Sequence, residues 1–533
     1  MRHQVLPRLL GAVRRPAGGP VMALSPGILL ILDGWGHAPP ATGNAVAAAD
    51  SPFLDKLTSG PHGLLLAASG RAVGLPEGVV GNSEIGHLVM GAGRPIEYDS
   101  LLVERQVESG ALRSHPLLVE ICRQLARDDG TLHLVGLASD GRIHSDIAHL
   151  PEVLRAAWNH RLDRVAIHAI TDGRDVPDRT SGMYMSRLTA MIKEIGVGFV
   201  ASVIGRDYAM DKSGKTHLTA KACRLVLDGE AEHTVPDAEA AVRTDCGDGS
   251  IPPTAVLSAS GEATFVRDGD VILFMNFRSD RTAPLADMVA AGLASSARAR
   301  VRLISLGQYD TRAEISALVP RPDASGGLAD ALDEAGVRSV RIAEREKFEH
   351  VTFFLNGRDA RRRRSEERLL VPSVADGPVQ YHPRMNVMGV ADSVIDAAAR
   401  REVGLIVANL ANMDVVGHTG DYEGTREATV AVDRAAARIC AAARKSRHWV
   451  LLVGDHGNAE QMLTAPQDGT SPVPYGGHTC NPVPCALVPA GRERLIPSSY
   501  PPAIASIGPT VLHLLGLPVP VTMSAPVLSR TPA

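Results

Sequence analysis

The feature that most constrains this sequence is a short apolar run that ends abruptly in charged residues and glycine and recurs along the chain. Apolar runs of this length are typical of strands buried on both faces. Alanine-rich stretches with helical periodicity, such as residues 427–446, alternate with them. The alternation predicts an α/β fold with mostly parallel, doubly wound sheets. The runs are GILLILDGWG (27–36), TLHLVGLASDGRIH (131–144), RVAIHAITDGRD (164–175), VGFVASVIGRD (197–207), DVILFMNFRSDR (270–281), VGLIVANLANMDVVGH (403–418) and HWVLLVGDHGNAE (448–460).

The charged residues that end these runs predict where ligands bind. In an open parallel sheet, ligands bind beyond the carboxyl ends of the strands. We therefore expect the polar side chains to gather in one or two crevices. Loops at residues 95–102 and 318–327 are rich in Pro, Gly, Ser and Asp and have the character of inter-domain connections. They bracket a long segment, which indicates an inserted domain.

Composition excludes several classes of function. Of the 533 residues, 45% are apolar and 21% are charged, as in an ordinary globular protein. A formal net charge of -4 predicts no nucleic-acid partner, and no apolar run is long enough to predict a membrane span. The six cysteines are scattered without CxxC spacing, so we expect reduced thiols in a cytoplasmic protein.

Residues 1–22 have a different character. They contain four arginines, and no acidic residue occurs before Asp33. This composition is similar to that of a transit peptide, but the segment has no serine and little amphipathic length. The alternatives are a disordered extension and an upstream start with Met22 as the effective beginning. We expect an extension outside the folded domains.

The strongest chemical signal lies in the carboxyl-terminal half. Asp414 and His418 are spaced i and i+4, Asp455 and His456 are adjacent, and His478 lies in a Gly/Pro-rich loop. Mixed carboxylate and imidazole ligands without cysteine favour Mn²⁺ or Zn²⁺ over a structural thiolate site. Asp33 is a further candidate ligand, because a carboxylate that ends a central strand is costly to leave unpaired.

Ser83 lies between glycines, which make the backbone conformationally flexible, in the segment VVGNSEIGHLVMGAGR (79–94). On sequence alone, Ser83 could be a nucleophile, a metal ligand, both, or an ordinary loop serine. A pair of metal ions favours the first two roles together. A hydroxyl bound to a divalent cation loses its proton easily, and two ions stabilise an in-line displacement at phosphorus.

The middle of the chain supplies cations. Arginines follow several of the predicted strands, and Arg binds phosphate and carboxylate in bidentate fashion. Together they indicate a pocket for a small anionic molecule, although each alone could be a surface cation. His144 and Asp175 accompany them and could move protons on substrate hydroxyls. The cations are Arg174, Arg206, Arg278 and Arg281, with Lys347 further along the chain.

At these residues the sequence closely resembles the 2,3-bisphosphoglycerate-independent phosphoglycerate mutases of the alkaline-phosphatase superfamily. The matching motifs occur in the family's order from about residue 28 to residue 485 and are highly specific together. They are ILDGWG, GNSEIGH, SDGRIHS, TDGRDV, GRDYAMD, NFRSDR, EKFEHVTFF, NMDVVGHTG, GDHGNAE and HTCNPVP.

The resemblance implies two domains. A phosphatase-like metal-binding domain would comprise residues 23–97 and 324–533, and a transferase domain of residues 98–323 would be inserted into it. Two Mn²⁺ ions are implied, with other divalent ions as alternatives, and so is a monomer. The implied metal ligands are Asp33, Ser83, Asp414, His418, Asp455, His456 and His478. The implied substrate residues are His144, Arg174, Asp175, Arg206, Lys212, Arg278, Arg281 and Lys347.

The implied activity is the interconversion of 3-phosphoglycerate and 2-phosphoglycerate in glycolysis and gluconeogenesis. Ser83 would take the phosphoryl group, the glycerate would reorient while bound, and its other hydroxyl would recover the group. Asp175 is the expected proton carrier, and Lys347 is expected to bridge the pocket and the phosphoryl group. Water must be excluded meanwhile, since hydrolysis of the phosphoserine would abort the cycle.

The chain departs from the family pattern at three positions. Lys212 replaces the usual arginine after YAMD, which keeps the charge and loses the bidentate geometry. Arg345 replaces a threonine beside Lys347 and could change its pKa by repulsion. Asp146 replaces a histidine. A phosphatase or another phosphomutase with the same metal core is the nearest rival, and a non-catalytic metal-binding protein is the second.

Overall fold

The structure is a computed structural model that describes residues 24–211, 214–373, 382–464, 472–491, 493–497 and 502–530. The predicted amino-terminal extension and Lys212 lie outside the described residues. The chain forms two compact units. The first comprises the described residues of Met1–Ile96 and Ala324–Ala533, and the second is Glu97–Asp323.

The first unit contains a seven-stranded sheet in the order β12-β11-β13-β1-β14-β15-β2. Its first five strands are parallel, and β15 and β2 are each antiparallel to the strand before them in this order. A separate antiparallel pair is formed by β16 and β17. Numbered along the chain, these strands are β1 (Gly27–Leu32), β2 (Gly63–Leu66), β11 (Ser339–Glu344), β12 (Glu366–Val371), β13 (Leu405–Leu410), β14 (Trp449–Gly454), β15 (Val483–Val488), β16 (Glu493–Leu495) and β17 (Leu528–Arg530).

Helices complete the first unit. Every residue of β1, β13 and β14 is buried, as expected for strands covered on both faces. Ile28, Leu30 and Leu32 pack with the alanine-rich helix α14, whose predicted helical periodicity is confirmed. The helices are α1 (Pro52–Thr58), α2 (Ser83–Ala92), α11 (Leu328–Glu334), α12 (Val387–Ala398), α13 (Asn412–Gly417), α14 (Tyr422–Ser446) and α15 (Ile507–Leu515).

The second unit contains an eight-stranded sheet in the order β10-β9-β8-β3-β4-β5-β7-β6. All neighbouring pairs are parallel except β5 with β7. The strands are β3 (Leu132–Leu137), β4 (Val165–Thr171), β5 (Phe199–Gly205), β6 (His233–Val235), β7 (Thr254–Val256), β8 (Val271–Phe274), β9 (Arg302–Gly307) and β10 (Ser316–Val319). The helices are α3 (Asp99–Glu108), α4 (Pro116–Asp128), α5 (Leu150–Asn159), α6 (Ser181–Ile195), α7 (Arg206–Ala209), α8 (Thr216–Asp228), α9 (Ala238–Ala241) and α10 (Ala283–Ala294).

The two sheets confirm the predicted α/β class with mostly parallel strands. The seven apolar runs singled out in the sequence correspond to β1, β3, β4, β5, β8, β13 and β14. Among the described residues, no helix is both long and apolar enough to cross a membrane.

Candidate metal centre and substrate-binding cluster

Three neighbouring strands at the middle of the first sheet bring three carboxylates together. Asp33 directly follows β1, Asp455 directly follows β14, and Asp414 lies in α13, just after β13. Because β13, β1 and β14 are adjacent and parallel, their carboxyl ends lie at one edge of the sheet. All three carboxylates are buried. Three buried negative charges at one edge require compensation.

Three histidines from three different segments of the chain lie at the same edge of the sheet. His456 follows Asp455 directly and is fully buried. His478 lies in the loop before β15, and since β15 is antiparallel to β14, this loop begins at the carboxyl end of β14. His418 follows α13 and its side chain is 49% exposed. The arrangement gathers all the sequence-predicted carboxylate and imidazole ligands.

The imidazoles of His418 and His478 are held so that one nitrogen of each faces the other. The Nδ1 atoms lie 2.8 Å from the carbonyl oxygens of Gly476 and Gly81, respectively. A carbonyl oxygen only accepts, so both Nδ1 atoms are protonated donors. The two Nε2 atoms lie 3.1 Å apart, and each is 3.3 Å from Asp414 Oδ1. Three lone-pair-bearing atoms therefore face one another when the rings are neutral.

Lys347 supplies the positive charge that the protein itself contributes. Its ammonium donates to Asp33 Oδ1 at 2.7 Å and to Ser83 Oγ and Asp414 Oδ2 at 2.6 Å each. It lies in the 3₁₀ turn Arg345–Lys347, directly after β11. One ammonium against three carboxylates leaves excess negative charge.

The donor set fits divalent cations. Asp414 Oδ1 and Asp455 Oδ2 are buried and have no hydrogen-bond partner among the described residues. Two groups of three side chains each bring their ligand atoms to within 4.8 Å of one another inside the group, and neither group contains a thiol. Carboxylate oxygen with imidazole nitrogen suits Mn²⁺ and Zn²⁺. The two groups are Asp414, His456 and His478, and Asp33, His87 and Asp455.

The electrostatics of the centre show the same imbalance. Burial alone would lower the pKa of Lys347 and of His456. The carboxylates of Asp33 and Asp414 instead raise the pKa of Lys347, and that of Asp455 raises the pKa of His456 to about 9. Burial would raise the pKa of Asp33, but Lys347 holds it well below its usual range. All three pKa shifts therefore reflect the negative potential of the buried carboxylates, which also favours the binding of cations.

Ser83 is the first residue of α2, so the amino-terminal N–H groups of a ten-residue helix surround it. Asn82 caps this helix by accepting the Ile85 N–H at 2.9 Å. The Ser83 hydroxyl lies 3.0 Å from Asp33 Oδ1 and 2.9 Å from His456 Nε2. A helix amino terminus favours negative charge, such as that of a phosphoryl group.

Sequence reasoning missed His87 and Asn409. Both are fully buried. His87 Nδ1 donates to the Ser83 carbonyl at 2.8 Å, and the Asn409 amide donates to Asp33 Oδ2 at 2.7 Å and to His87 Nε2 at 3.0 Å. Because both ring nitrogens of His87 are used, it orients Ser83 and Asp33 rather than binding an ion. Its place in the GNSEIGH motif was the available signal.

The second unit gathers the predicted cations at the carboxyl ends of four neighbouring strands. His144 follows β3, Arg174 and Asp175 follow β4, Arg206 follows β5, and Arg278 and Arg281 follow β8, in a sheet whose order includes β8-β3-β4-β5. His144 is buried, and burial lowers its pKa. The charges of Arg278, Asp175 and Arg206 all act on it.

Two further carboxylates, Asp280 and Asp172, organise this cluster. Asp280 accepts Arg278 Nε at 3.0 Å and lies 3.5 Å from His144 Nδ1. Asp172 contacts Arg206 Nη1, which also lies 3.0 Å from Asp175 Oδ1. Asp175 Oδ2 is buried without a hydrogen-bond partner among the described residues. Such a carboxylate oxygen can accept a proton from a bound hydroxyl.

Known proteins resemble this chain over almost its whole length. Residues 25–519 match the model of the Metalloenzyme superfamily. The 2,3-bisphosphoglycerate-independent phosphoglycerate mutase of Streptomyces coelicolor is 51% identical, over 96% of this chain and 99% of that protein. The chain belongs to the 2,3-bisphosphoglycerate-independent phosphoglycerate mutases. Within this family, the Synechococcus sp. (strain JA-2-3B'a(2-13)) protein is 38% identical, over 94% of this chain and 95% of its own.

A solved structure gives the same result. The crystal structure of Leishmania mexicana phosphoglycerate mutase at low cobalt concentration matches with a TM-score of 0.70 and 27% identity, covering 96% of this chain and 100% of that one. The resemblance stated from the motifs is thereby confirmed. As a phosphoglycerate mutase the chain is an isomerase, and the family model together with the ligand groups indicates the use of divalent metal ions.

The described residues include two of this mutase's three departures from the family pattern. Arg345 is exposed, although it precedes Lys347 by only two positions. Asp146 is buried, caps the 3₁₀ turn Ile147–His149 by accepting the Ala148 N–H, and accepts Arg142 Nε at 2.9 Å. Asp146 therefore has a structural role where the family usually has a histidine.

Proposed function

We propose that the chain interconverts 3-phosphoglycerate and 2-phosphoglycerate through a phosphoserine on Ser83, at a centre of two Mn²⁺ ions and without 2,3-bisphosphoglycerate. The observation that carries the proposal is the convergence of the Ser83 hydroxyl, buried carboxylates and inward-facing imidazole nitrogens at one sheet edge. Other divalent ions suit the same ligands, cobalt among them, since the Leishmania mexicana structure was determined at low cobalt concentration.

The proposed ligand atoms form two groups, and each group would bind one ion. Asp414, His418 and His478 surround one position, where their Oδ1 and Nε2 atoms face one another. Asp33, Ser83, Asp455 and His456 surround the other. When bound, the ions supply positive charge that lowers the pKa of the Ser83 hydroxyl and offsets charge on the phosphoryl oxygens.

Ser83 and Lys347 carry the transfer itself. The Ser83 oxygen forms a bond to phosphorus as the bond from phosphorus to the substrate oxygen breaks. Lys347 already donates to Ser83 Oγ, so its charge lies where negative charge develops. The Ser83 hydroxyl donates to Asp33 Oδ1 at 3.0 Å, and this carboxylate oxygen can accept its proton. The reverse transfer, to the other glycerate hydroxyl, completes the isomerisation.

The cationic cluster of the second unit is proposed to bind the glycerate portion. Arg278 and Arg281 converge on Asp280 beside His144, and Arg206 is fixed by Asp172 and Asp175. These groups suit a carboxylate with neighbouring hydroxyls. Asp175, with its free carboxylate oxygen, is assigned to carry the proton between those hydroxyls. Arg174 and Lys212 are assigned to the same site from their motifs.

Phosphorus NMR distinguishes this function from its nearest rival, a phosphatase. Dialysed protein receives Mn²⁺ and 3-phosphoglycerate without 2,3-bisphosphoglycerate, and samples are quenched with a chelator before measurement. We expect a 2-phosphoglycerate resonance that grows without inorganic phosphate, and none with Ser83→Ala. If inorganic phosphate were the only product, the activity would be that of a phosphatase and the proposed mutase reaction would be wrong. Light scattering on the same sample tests the expected monomer.

A further inference from the structure

A buried guanidinium in the first unit has two nitrogens without a hydrogen-bond partner in the part of the chain that the structure describes. Arg341 lies in the middle of β11 and is only 1% exposed. Its Nε and Nη1 atoms are inaccessible to solvent and have no acceptor among the described residues. Guanidinium N–H groups are strong donors that proteins rarely bury unpaired. Another acceptor for them is therefore expected.

The carboxylate whose charge attracts Arg341 is that of Glu366, and it is hydrogen-bonded to other side chains. Glu366, at the start of β12, exerts an attractive charge on Arg341. Its Oε1 accepts Arg368 Nε at 2.5 Å, and its Oε2 accepts Asn356 Nδ2 at 2.7 Å. Both carboxylate oxygens of Glu366 therefore accept hydrogen bonds from other side chains, those of Arg368 and Asn356, and neither is an acceptor for Arg341.

A second guanidinium lies directly beside the first. Arg341 and Arg368 are register partners on the parallel strands β11 and β12, so their side chains project from the same face of the sheet. Arg368 Nη2 is also buried without a partner among the described residues. Two neighbouring guanidinium groups therefore present three unsatisfied N–H-bearing nitrogens, with one carboxylate between them.

A further cation that acts on Arg341 is already paired with carboxylates. Arg363 acts on Arg341 by repulsion, and it is itself paired with Asp330 at 2.7 Å and with Asp359 at 2.8 Å. Burial lowers the pKa of Arg341 to about 10, which leaves the side chain charged at neutral pH. The buried cluster of Arg341, Arg368 and Glu366 keeps one net positive charge, and a buried charge of this kind is costly unless it is paired.

We propose that Arg341 and Arg368 bind one small monovalent inorganic anion of the chloride class. The anion would accept the free N–H groups of both guanidiniums and tie the edge strand β12 to β11. Burial of Arg341 excludes a bulky ligand, and the Arg368 side chain is 21% exposed.

Bromide locates such an anion directly, because it replaces chloride and scatters anomalously. Crystals of the full chain grown in sodium bromide are expected to show an anomalous peak within hydrogen-bond distance of Arg341 Nε or Nη1 and Arg368 Nη2. Water molecules alone at this position, in crystals with bromide elsewhere, would overturn the proposal. This experiment needs no variant and does not depend on catalytic activity.

Thermal unfolding provides a matched solution test. In sodium chloride, compared with sodium gluconate at equal ionic strength, the wild-type melting temperature is expected to rise and saturate, since an ion that binds only the folded state stabilises it. Arg341→Met should lose the saturable rise, and the exposed control Arg361→Met should keep it. Equal melting in both salts for the wild type would contradict the site. If Arg341→Met does not fold, Arg368→Gln serves, with a weakened rise expected.

Discussion

His418 Nε2 and His478 Nε2 lie 3.1 Å apart, while the opposite nitrogen of each ring donates to a backbone carbonyl. Two acceptor nitrogens at this distance, each 3.3 Å from Asp414 Oδ1, are stabilised by a shared cation. The local fold thus holds the imidazoles in the tautomer that a metal ion requires, because the carbonyls of Gly476 and Gly81 fix the protons on the far side of each ring.

Removing one of these imidazoles should remove one ion. We expect wild-type protein to bind two equivalents of Mn²⁺ and His478→Ala to bind one, as measured by elemental analysis after equilibrium dialysis. His233→Ala, at an exposed position of the other unit, is the control and should keep both equivalents. Two tightly bound equivalents in His478→Ala would show that His478 is not a ligand.

His87 should tune metal affinity without changing stoichiometry. It fixes the Ser83 carbonyl and, through Asn409, the orientation of Asp33. Loss of such an orienting contact typically weakens binding by roughly tenfold to a hundredfold. Chelator competition on His87→Asn is expected to show this weakening with two equivalents still bound at saturation. Unchanged affinity would mean that the orientation of Asp33 does not depend on His87.

Lys347 should be required for the transfer and not for metal binding. Its ammonium opposes a cation nearby and supports charge that develops on Ser83 Oγ and the phosphoryl group. Lys347→Met is therefore expected to lower kcat by roughly a hundredfold to a thousandfold. Its Mn²⁺ affinity should equal or exceed that of the wild type. A variant that loses both ions together would reassign Lys347 to holding the centre together.

Glycerate should stay bound between the two transfers. If the cationic cluster retains it, the phosphoryl group returns to the molecule that supplied it. Turnover of unlabelled 3-phosphoglycerate in the presence of ¹⁴C-glycerate is expected to give no labelled phosphoglycerate. Arg206→Met, which frees Asp172 and Asp175 of their shared partner, should allow glycerate to escape and so produce inorganic phosphate. Rapid labelling in the wild type would show that transfer is intermolecular.

A buried histidine pair predicts how stability depends on pH. In the second unit, His133 Nδ1 lies 3.0 Å from His168 Nε2, and His168 Nδ1 lies 2.8 Å from Ser202 Oγ. Burial, with a smaller contribution from His133, holds the pKa of His168 well below its ordinary value of 6.5. Below pH 6.5, His168 is therefore protonated in the unfolded chain but stays neutral in the folded chain. This contribution of His168 to the free energy of unfolding is complete above pH 6.5 and is lost as the pH falls.

The expected size follows from linkage. A single such group changes the free energy of unfolding by at most about 1.4 kcal/mol per pH unit. Urea unfolding between pH 7 and pH 5 should show a shallower loss of stability for His168→Gln than for the wild type, whatever the stability of the variant at pH 7. Parallel pH profiles for the two proteins would place the acid sensitivity in other groups.

The sequence predicted the parts of the site that end buried strands. Asp414 and Asp455 were predicted from their spacing to His418 and His456, and Asp33 was predicted because a carboxylate at the end of a central strand is costly to leave unpaired. Asn409 gave no such signal, since it lies within the fully buried strand β13 and its partners come from distant parts of the chain. Lys347 was predicted as a cation from the sequence, but its role came from the family motif. Nothing in the sequence around it predicts that its ammonium contacts Asp33, Ser83 and Asp414.

Arg341 marks another limit of sequence reasoning. Nothing in the sequence indicates that the Arg341 side chain is buried. Its missing partner is evident only from its register with Arg368 and from the bonds that Glu366 makes to other residues. The domain boundaries predicted from the loops at residues 95–102 and 318–327 remain a prediction about independent folding, which expression of residues 98–323 alone would test.

The proposed reaction requires that Ser83 carries the phosphoryl group during turnover. Acid quenching of Mn²⁺-loaded enzyme mixed with 3-phosphoglycerate, followed by peptide mass spectrometry, tests it most directly. We expect a phosphorylated peptide containing Ser83, which should be absent from Ser83→Ala and from enzyme quenched before substrate is added. Full mutase turnover in Ser83→Ala, or phosphorylation confined to another residue, would contradict it.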